Sequence, residues 1–372
     1  MQEINTGDFL ADLENKNQHF PLVGKIDLTY RCNLSCIHCY CKDSEDAAKE
    51  LTTNQWKKIL DEIQKAGCVW LTFSGGEPFL REDFLELYTY AKKKGFIITI
   101  FTNGQLLTNK IIDYLIKFAP FSIEITLNGA TKDVYESITQ VEGSFLQINT
   151  VLQMLKRKKL PFILKTNCLR QNKNQLGQIK KFAERLLGSS FPKGGYRFKY
   201  DPMIFPRLNG DKTPTRYRLS FQQLLQVRMQ DSDIWNEYQR GLNCKISDLN
   251  FKRDRCFLYQ CSAWLNQFFI NPFGRLKFCQ FSDKFSVDLK NTPFREGFYK
   301  VFPLLLQERY KTDSKCKNCQ LRIICYHCPA RSFLETGDEE APVEYYCQLA
   351  EQTVKFIEKS KKESLPSFIP EH

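Results

Sequence analysis

Three cysteines, Cys32, Cys36 and Cys39, stand three and then two residues apart in RCNLSCIHCY, directly after a strand-like run. Thiolates in this arrangement hold either zinc or an iron–sulfur cluster. Tetrahedral zinc sites usually draw paired cysteines from two separate knuckles. The corners of a 4Fe-4S cubane can instead be reached by one wrapping loop with unequal spacings. Spacing therefore favours the cluster and leaves its fourth iron without a protein ligand, open to another molecule. His38, inside the same loop, is poorly placed as a fourth ligand and is expected to pack beside the cluster as an aromatic. Cys41 could compete as a ligand, although it stands outside the spacing pattern.

The chain around this loop has 372 residues, enough for one large domain or two ordinary ones. No apolar stretch approaches the length of a membrane span. The N-terminus, MQEINTGDFLADLENKNQHF, lacks the basic and apolar regions of a signal peptide. A cytoplasmic protein without a membrane partner is expected, and a reducing compartment makes a disulfide framework a poor account of 15 cysteines. Their clustering points to metal instead. Cys68, Cys168 and Cys244 are expected to be structural. The formal charge of +12 raises the question of nucleic acid, yet much of the excess sits in AKKKG (91–95) and LKRKK (155–159). Both runs close helix-like segments, where cations complement the helix dipole. No aromatic-basic stripe for stacking bases accompanies them.

Between residues 22 and 205 short apolar runs alternate with amphipathic stretches, giving six strand–helix units. VGKIDLTY reads as the first strand, and TTNQWKKILDEIQKAG as a helix capped by Thr53. Near-continuous apolar strands separated by helices predict a parallel sheet buried on both faces. Six units are too few for a closed eight-stranded barrel, so an α/β fold with an incomplete (β/α)6 TIM-like barrel is expected, with a doubly wound sheet as the competitor. In either architecture functional residues belong at the C-terminal ends of the strands. RCNLSCIHCY, SGGEP (74–78), TNG (102–104) and TLNG (126–129) all fall there.

The combination Cys32-x3-Cys36-x2-Cys39 with aromatic His38 resembles the signature of radical S-adenosylmethionine (radical SAM) enzymes. The resemblance implies that S-adenosyl-L-methionine chelates the open iron of a 4Fe-4S cluster and is cleaved to a 5′-deoxyadenosyl radical. It also implies that Gly75, Gly76 and Glu77 serve the methionine amino group. Thr102, Asn103, Thr126 and Asn128 would then contact the methionyl or ribose parts. Relatives often carry Ser and Asp where this chain has Thr126 and Asn128. Many place an arginine for the cofactor carboxylate where Thr139 stands here.

After PRLNGDKTPTRYR (206–218), which reads as a linker, and a connecting helix in 220–242, QFFINPFGRLKFC (267–279) reads as a β-hairpin. Cys261, Gly274, Cys279, Cys316, Cys319, Cys325, Cys328 and Cys347 are spaced as in the SPASM extension of peptide-modifying radical SAM enzymes. That resemblance implies two auxiliary 4Fe-4S clusters, one on Cys256, Cys261, Cys279 and Cys328, the other on Cys316, Cys319, Cys325 and Cys347. The gap between Cys325 and Cys328 holds two residues, Tyr326 and His327, where the family usually has three. A zinc ribbon would set its cysteine pairs much farther apart. The expected organisation is an extension (1–21), a partial barrel (22–215), a connecting helix (216–243), a SPASM domain (244–350) and the last helix end and tail (351–372).

The reading is a peptide maturase fed by a flavodoxin- or ferredoxin-type electron donor. The auxiliary clusters would accept the substrate electron, suiting an oxidative product such as a thioether or a carbon–carbon crosslink. Sulfatase maturation is disfavoured because relatives with that activity carry Asp after the cysteine matching Cys279, where Gln280 stands here and Asp283 is the nearest acid. A small molecule or haem precursor is the alternative substrate, and a zinc or electron-carrier protein the non-enzymatic one. The 22 residues before the first strand are fewer than the leader-binding domain of many relatives, so leader recognition is expected elsewhere.

Overall fold

The computed structural model describes residues 19–42, 49–187, 198–231, 235–236, 238–240, 256–261 and 263–362. Cys244, most of the N-terminal extension and the C-terminal tail lie outside the described residues.

The strand–helix alternation is realised as β1 (Val23–Thr29), α1 (Thr53–Lys65), β2 (Trp70–Gly75), α2 (Phe84–Lys93), β3 (Ile97–Thr102) and α3 (Asn109–Lys117). There follow β4 (Ser122–Thr126), α4 (Lys132–Thr139), α5 (Ser144–Arg157), β5 (Ile163–Asn167), α6 (Leu176–Leu187) and β6 (Phe198–Asp201). Thr52 rather than Thr53 caps α1. Its hydroxyl accepts from Gln55 N and the Gln55 side chain accepts from its N–H, whereas Thr53 Oγ1 donates to Asp83 at 2.6 Å. The two lysine runs close α2 and α5, where Lys94 pairs with Asp61 at 2.6 Å and Lys158 with Asp113. No described helix is long and apolar enough to cross a membrane.

All six strands are parallel, in the order β6-β5-β4-β3-β2-β1, and the barrel stays open. One face of the sheet packs Ile26, Leu71, Phe73, Ile98, Ile100, Ile123, Ile125 and Leu164 against helical side chains such as Trp56, Leu87, Ile112 and Val151, all buried. The other face departs from the expectation of strands buried in apolar surroundings throughout, because it carries Lys25, Glu124, Thr126, Lys165, Asn167, Lys199 and Asp201 around a cavity.

The hairpin forms as β7 (Gln267–Ile270) and β8 (Arg275–Lys277), and β9 (Val287–Asp288) pairs with β8. Asn271 Oδ1 accepts from Phe273 N and Arg275 N, and Gly274 takes φ +84°. The hairpin extends the barrel sheet itself: β7 runs parallel to β1, pairing Lys25 with Phe269 and Ile26 with Ile270. An open barrel leaves β1 with a row of unpaired backbone groups, and β7 satisfies them.

The stretch 206–218 is a tied strap rather than a free linker. Leu208 N donates to Tyr40 O at 2.8 Å, and Arg218 closes its end. The Arg218 guanidinium makes a two-pronged bond to Glu335 (2.8 and 2.7 Å), donates to Ile204 O at 2.8 Å and lies over the Tyr345 ring. Beyond it come α7 (Phe221–Met229), α8 (Pro329–Thr336), which carries Glu335, and α9 (Glu344–Lys362). Arg218→Ala would leave Glu335 and Ile204 O without that partner in a buried setting, so we expect a loss of about 3–5 kcal/mol. A lowered thermal midpoint of the anaerobically purified protein reads this loss, and Arg218→Lys should recover only part of it because it cannot make both bonds.

Candidate functional site

The C-terminal ends of β1 to β6 surround a cavity of about 520 Å³. Its wall includes Cys32, Cys36, His38 and Cys39 from the loop after β1, Gly75 and Gly76 from the end of β2, Thr102 and Asn103 from β3, and Thr126 and Asn128 from β4. Four loops distant in sequence thus meet on one rim.

Backbone hydrogen bonds fix the cysteine loop. Ser35 N donates to Thr139 O and Ile37 N to Ile138 O, each at 3.0 Å, so the carbonyls ending α4 anchor it. The Thr139 hydroxyl is committed to Ser144 Oγ at 2.9 Å and is fully buried, so this position acts as a brace. Gly76 N donates to Thr29 O and Glu77 N to Arg31 O, each at 2.8 Å, stitching the β2 loop to the base of the cysteine loop. The glycines are required by this closeness. A Cβ on Gly75 would lie 2.1 Å from Thr29 O, and one on Gly76 2.3 Å from Arg31 O.

Glu77 is not in the cavity wall, although its carboxylate was expected at an ammonium group. It is fully buried and accepts from Thr102 Oγ1 (2.8 Å), Asn103 N (2.7 Å) and Phe79 N (3.2 Å). Burial lifts its carboxyl to about 7 against the pull of these donors. Glu77 therefore holds TNG in place. Asn103 in turn reaches the thiols: its Nδ2 donates to Asn33 Oδ1 at 2.8 Å and stands 3.6 Å from Cys32 Sγ. Burial pulls the His38 imidazole down to about 4, so the ring is neutral near pH 7. Cys41, the competing thiol outside the spacing pattern, lines the same cavity, with its Sγ 3.6 Å from Cys39 Sγ. That neighbour holds the Cys39 thiol down to about 7.

The described C-terminal cysteines lie in three places. Cys316, Cys319, Cys325 and Cys347 line one small cavity of about 30 Å³, together with His327. The His327 Nδ1 stands 3.0 Å from Ser332 Oγ and 3.9 Å from Cys316 Sγ. Cys279 and Cys328 pack against one apolar cluster of Phe281, Ala330 and Leu334. Cys256 and Cys261 are exposed and line neither cavity. Among the described residues no three His, Cys, Asp or Glu groups converge tightly enough for a single metal ion. Each of the two cavities is lined by several thiols.

The interior residues were absent from the sequence reading, although the signal was there. In KID (25–27), EIT (124–126), KTN (165–167) and KYD (199–201), polar residues recur at every second position, the period of one strand face. Gln280, where a sulfatase-type base would stand, lines the cavity and accepts from Lys25 Nζ at 2.5 Å. Asp283 is exposed and paired with Lys277 at 3.0 Å.

Residues 26–183 match the family described as the Radical SAM superfamily. The chain is similar to the AdoMet-dependent heme synthase of Methanosarcina barkeri, 24% identical over 86% of this chain and 94% of the relative. It is also similar to the PqqA peptide cyclase of Bradyrhizobium diazoefficiens, 24% identical over 86% of this chain and 84% of the relative. In fold it resembles Streptococcus suis SuiB bound to precursor peptide SuiA, with a TM-score of 0.67, 17% identity and coverage of 93% of this chain and 80% of that one.

Proposed function

We propose that this chain, whose residues 26–183 match the Radical SAM superfamily, cleaves S-adenosylmethionine and uses the 5′-deoxyadenosyl radical to take a hydrogen atom from a peptide. The product would be a thioether, a carbon–carbon crosslink or a similar modification. The observation that carries this reading is one cavity walled by three loop thiols, a Gly75–Gly76 cradle and Asn103.

Cys32, Cys36 and Cys39 would hold a 4Fe-4S cluster, which when bound supplies the electron for the cleavage. The residues fit it: the thiols share one wall, and Asn103 Nδ2 lies within reach of Cys32 Sγ. Gly75 and Gly76 present bare backbone to the cavity, so a bulky cofactor can approach there without meeting a side chain. Thr102, held by Glu77, together with Asn103, Thr126 and Asn128, offers hydrogen-bond partners along the rim. His38 packs beside the thiols as a neutral ring.

Cys316, Cys319, Cys325 and Cys347 would close one auxiliary 4Fe-4S cluster. Cys256, Cys261, Cys279 and Cys328 would close the other, which requires the exposed Cys256 and Cys261 to fold over Cys279 and Cys328. A flavodoxin- or ferredoxin-type donor in the cytoplasm would reduce the enzyme.

The peptide substrate is supported by the PqqA peptide cyclase likeness and by the peptide-bound SuiB fold. A haem precursor is the second reading, favoured by the likeness to heme synthase along nearly that relative's whole length. Anaerobic enzyme with reduced flavodoxin, offered short peptides encoded beside its gene and, separately, haem precursors, distinguishes them. A mass shift in a peptide with matching 5′-deoxyadenosine supports the first reading. Product from a haem precursor alone supports the second.

A further inference from the structure

The floor of the cavity holds more ammonium groups than it neutralises. Lys25 comes from β1, Glu124 from β4, Lys165 from β5, and Lys199 and Asp201 from β6, and all five line the void. Sheet register sets Lys165 beside Lys199, and Asn167 beside Asp201, so they form adjacent rows across the interior face. Glu124 is the shared counter-ion: Lys199 Nζ lies 2.6 Å from it, and Lys165 Nζ only 3.8 Å. Asp201 accepts instead from Met203 N at 2.8 Å, and burial raises its carboxyl, which disfavours the anion. Lys25 has neutral partners at hydrogen-bond distance, Gln280 Oε1 and Tyr40 OH, with Asp27 farther off at 3.9 Å.

Lys165 is the residue left over. Its Nζ has no hydrogen bond among the described residues and stands 3.0 Å from the centroid of the Phe101 ring. Desolvation of its charge, with Lys25 and Lys199 pushing against it as lesser causes, pulls it down to about 7 despite Glu124. A half-buried ammonium whose nearest carboxylate is taken more closely by a second lysine gains from an arriving anion. A carboxylate has the size and the two acceptor oxygens that a cluster of ammonium donors can share.

We propose that Lys165, flanked by Lys25 and Lys199, docks a carboxylate of the substrate, so that the accepted peptide presents a Glu or Asp side chain inside the barrel next to the modified residue. This inference rests on the radical SAM reading of the same cavity and names the substrate class that reading leaves open.

The test uses the full chain, reconstituted anaerobically with S-adenosylmethionine. Its probes are a pool of random-sequence peptides and a twin pool in which Gln and Asn replace Glu and Asp. Wild-type protein should retain members of the first pool at least about tenfold better than their amide twins, as expected when a site built for a charged hydrogen bond meets an analogue lacking it. Lys165→Met should erase that preference while its affinity for S-adenosylmethionine, measured by equilibrium dialysis, stays within about twofold of wild type. Three results overturn the assignment: equal retention of both pools by wild type that still cleaves S-adenosylmethionine, an acid preference that survives in Lys165→Met, or a loss confined to S-adenosylmethionine affinity, which would give Lys165 to the cofactor carboxylate. Because the wild-type comparison stands alone, a Lys165→Met chain that fails to fold does not remove the test. Wild type that neither binds nor cleaves S-adenosylmethionine sinks the underlying reading, and this inference with it.

Discussion

Replacing Cys32, Cys36 and Cys39 together by alanine should abolish cleavage of S-adenosylmethionine and, under the proposed three cubanes of four irons each, should leave about eight of about twelve irons in the anaerobically purified chain. The expectation follows from where the thiols stand. The three share one cavity wall with the Gly75–Gly76 cradle, whereas Cys316, Cys319, Cys325 and Cys347 wall another. The loop that carries the first set is anchored through its backbone to Thr139 and Ile138, so its fold does not depend on the side chains removed. Iron and sulfide content, read with the rate of 5′-deoxyadenosine formation, measures both halves. Retained cleavage refutes the assignment of the open site. Zinc without sulfide in the wild-type protein refutes the clusters altogether. The triple variant also tests Cys41, which lies 3.6 Å from Cys39 Sγ: were Cys41 a sufficient ligand, some iron beyond the auxiliary share would remain.

Gly75→Ala should lower the cleavage rate by about 100-fold, because a displacement on the order of 1 Å at a positioning element is enough to do so. Gly75 sits at φ +128°, and a Cβ there would meet Thr29 O at 2.1 Å. The neighbour is backbone and cannot step aside as a flexible side chain would, so the ends of β1 and β2 must part. Those ends carry the cysteine loop and the rim glycines, and both move with them. Gly95→Ala is the matched control. Its φ of +92° imposes a similar backbone penalty, of about 1–3 kcal/mol, but its Cβ would meet nothing within 4 Å. The control should lose stability and keep cleavage. Equal loss of cleavage in both variants would show that strain alone, rather than the close approach to Thr29, is responsible.

The parts of the site legible in the sequence were those written as local spacing. Cys32, Cys36, His38 and Cys39 lie within one loop, and SGGEP, TNG and TLNG each follow an apolar run. Strand-then-loop placement carried them to one rim because a parallel sheet brings every C-terminal end to the same edge. The interior rows were also written locally, at period two in KID, EIT, KTN and KYD. They were hidden because strands of four to seven residues also carry enough apolar residues to read as buried on both faces.

The sequence by itself determined the alternation of strands and helices, the thiol sets and the likeness to radical SAM enzymes. Each depends on residue type and on separations of a few positions. Only the tertiary structure decided that β7 closes the free edge of β1 and that the buried Glu77 holds Thr102 and Asn103. It alone decided that Thr139 braces the loop and that three lysines face two carboxylates at the cavity floor. The physical reason is common to all of these. An edge strand, a buried carboxylate or an inward-facing ammonium is satisfied by whichever group the fold brings near, such as Thr102 for Glu77, 25 residues away, and Gln280 for Lys25, 255 residues away.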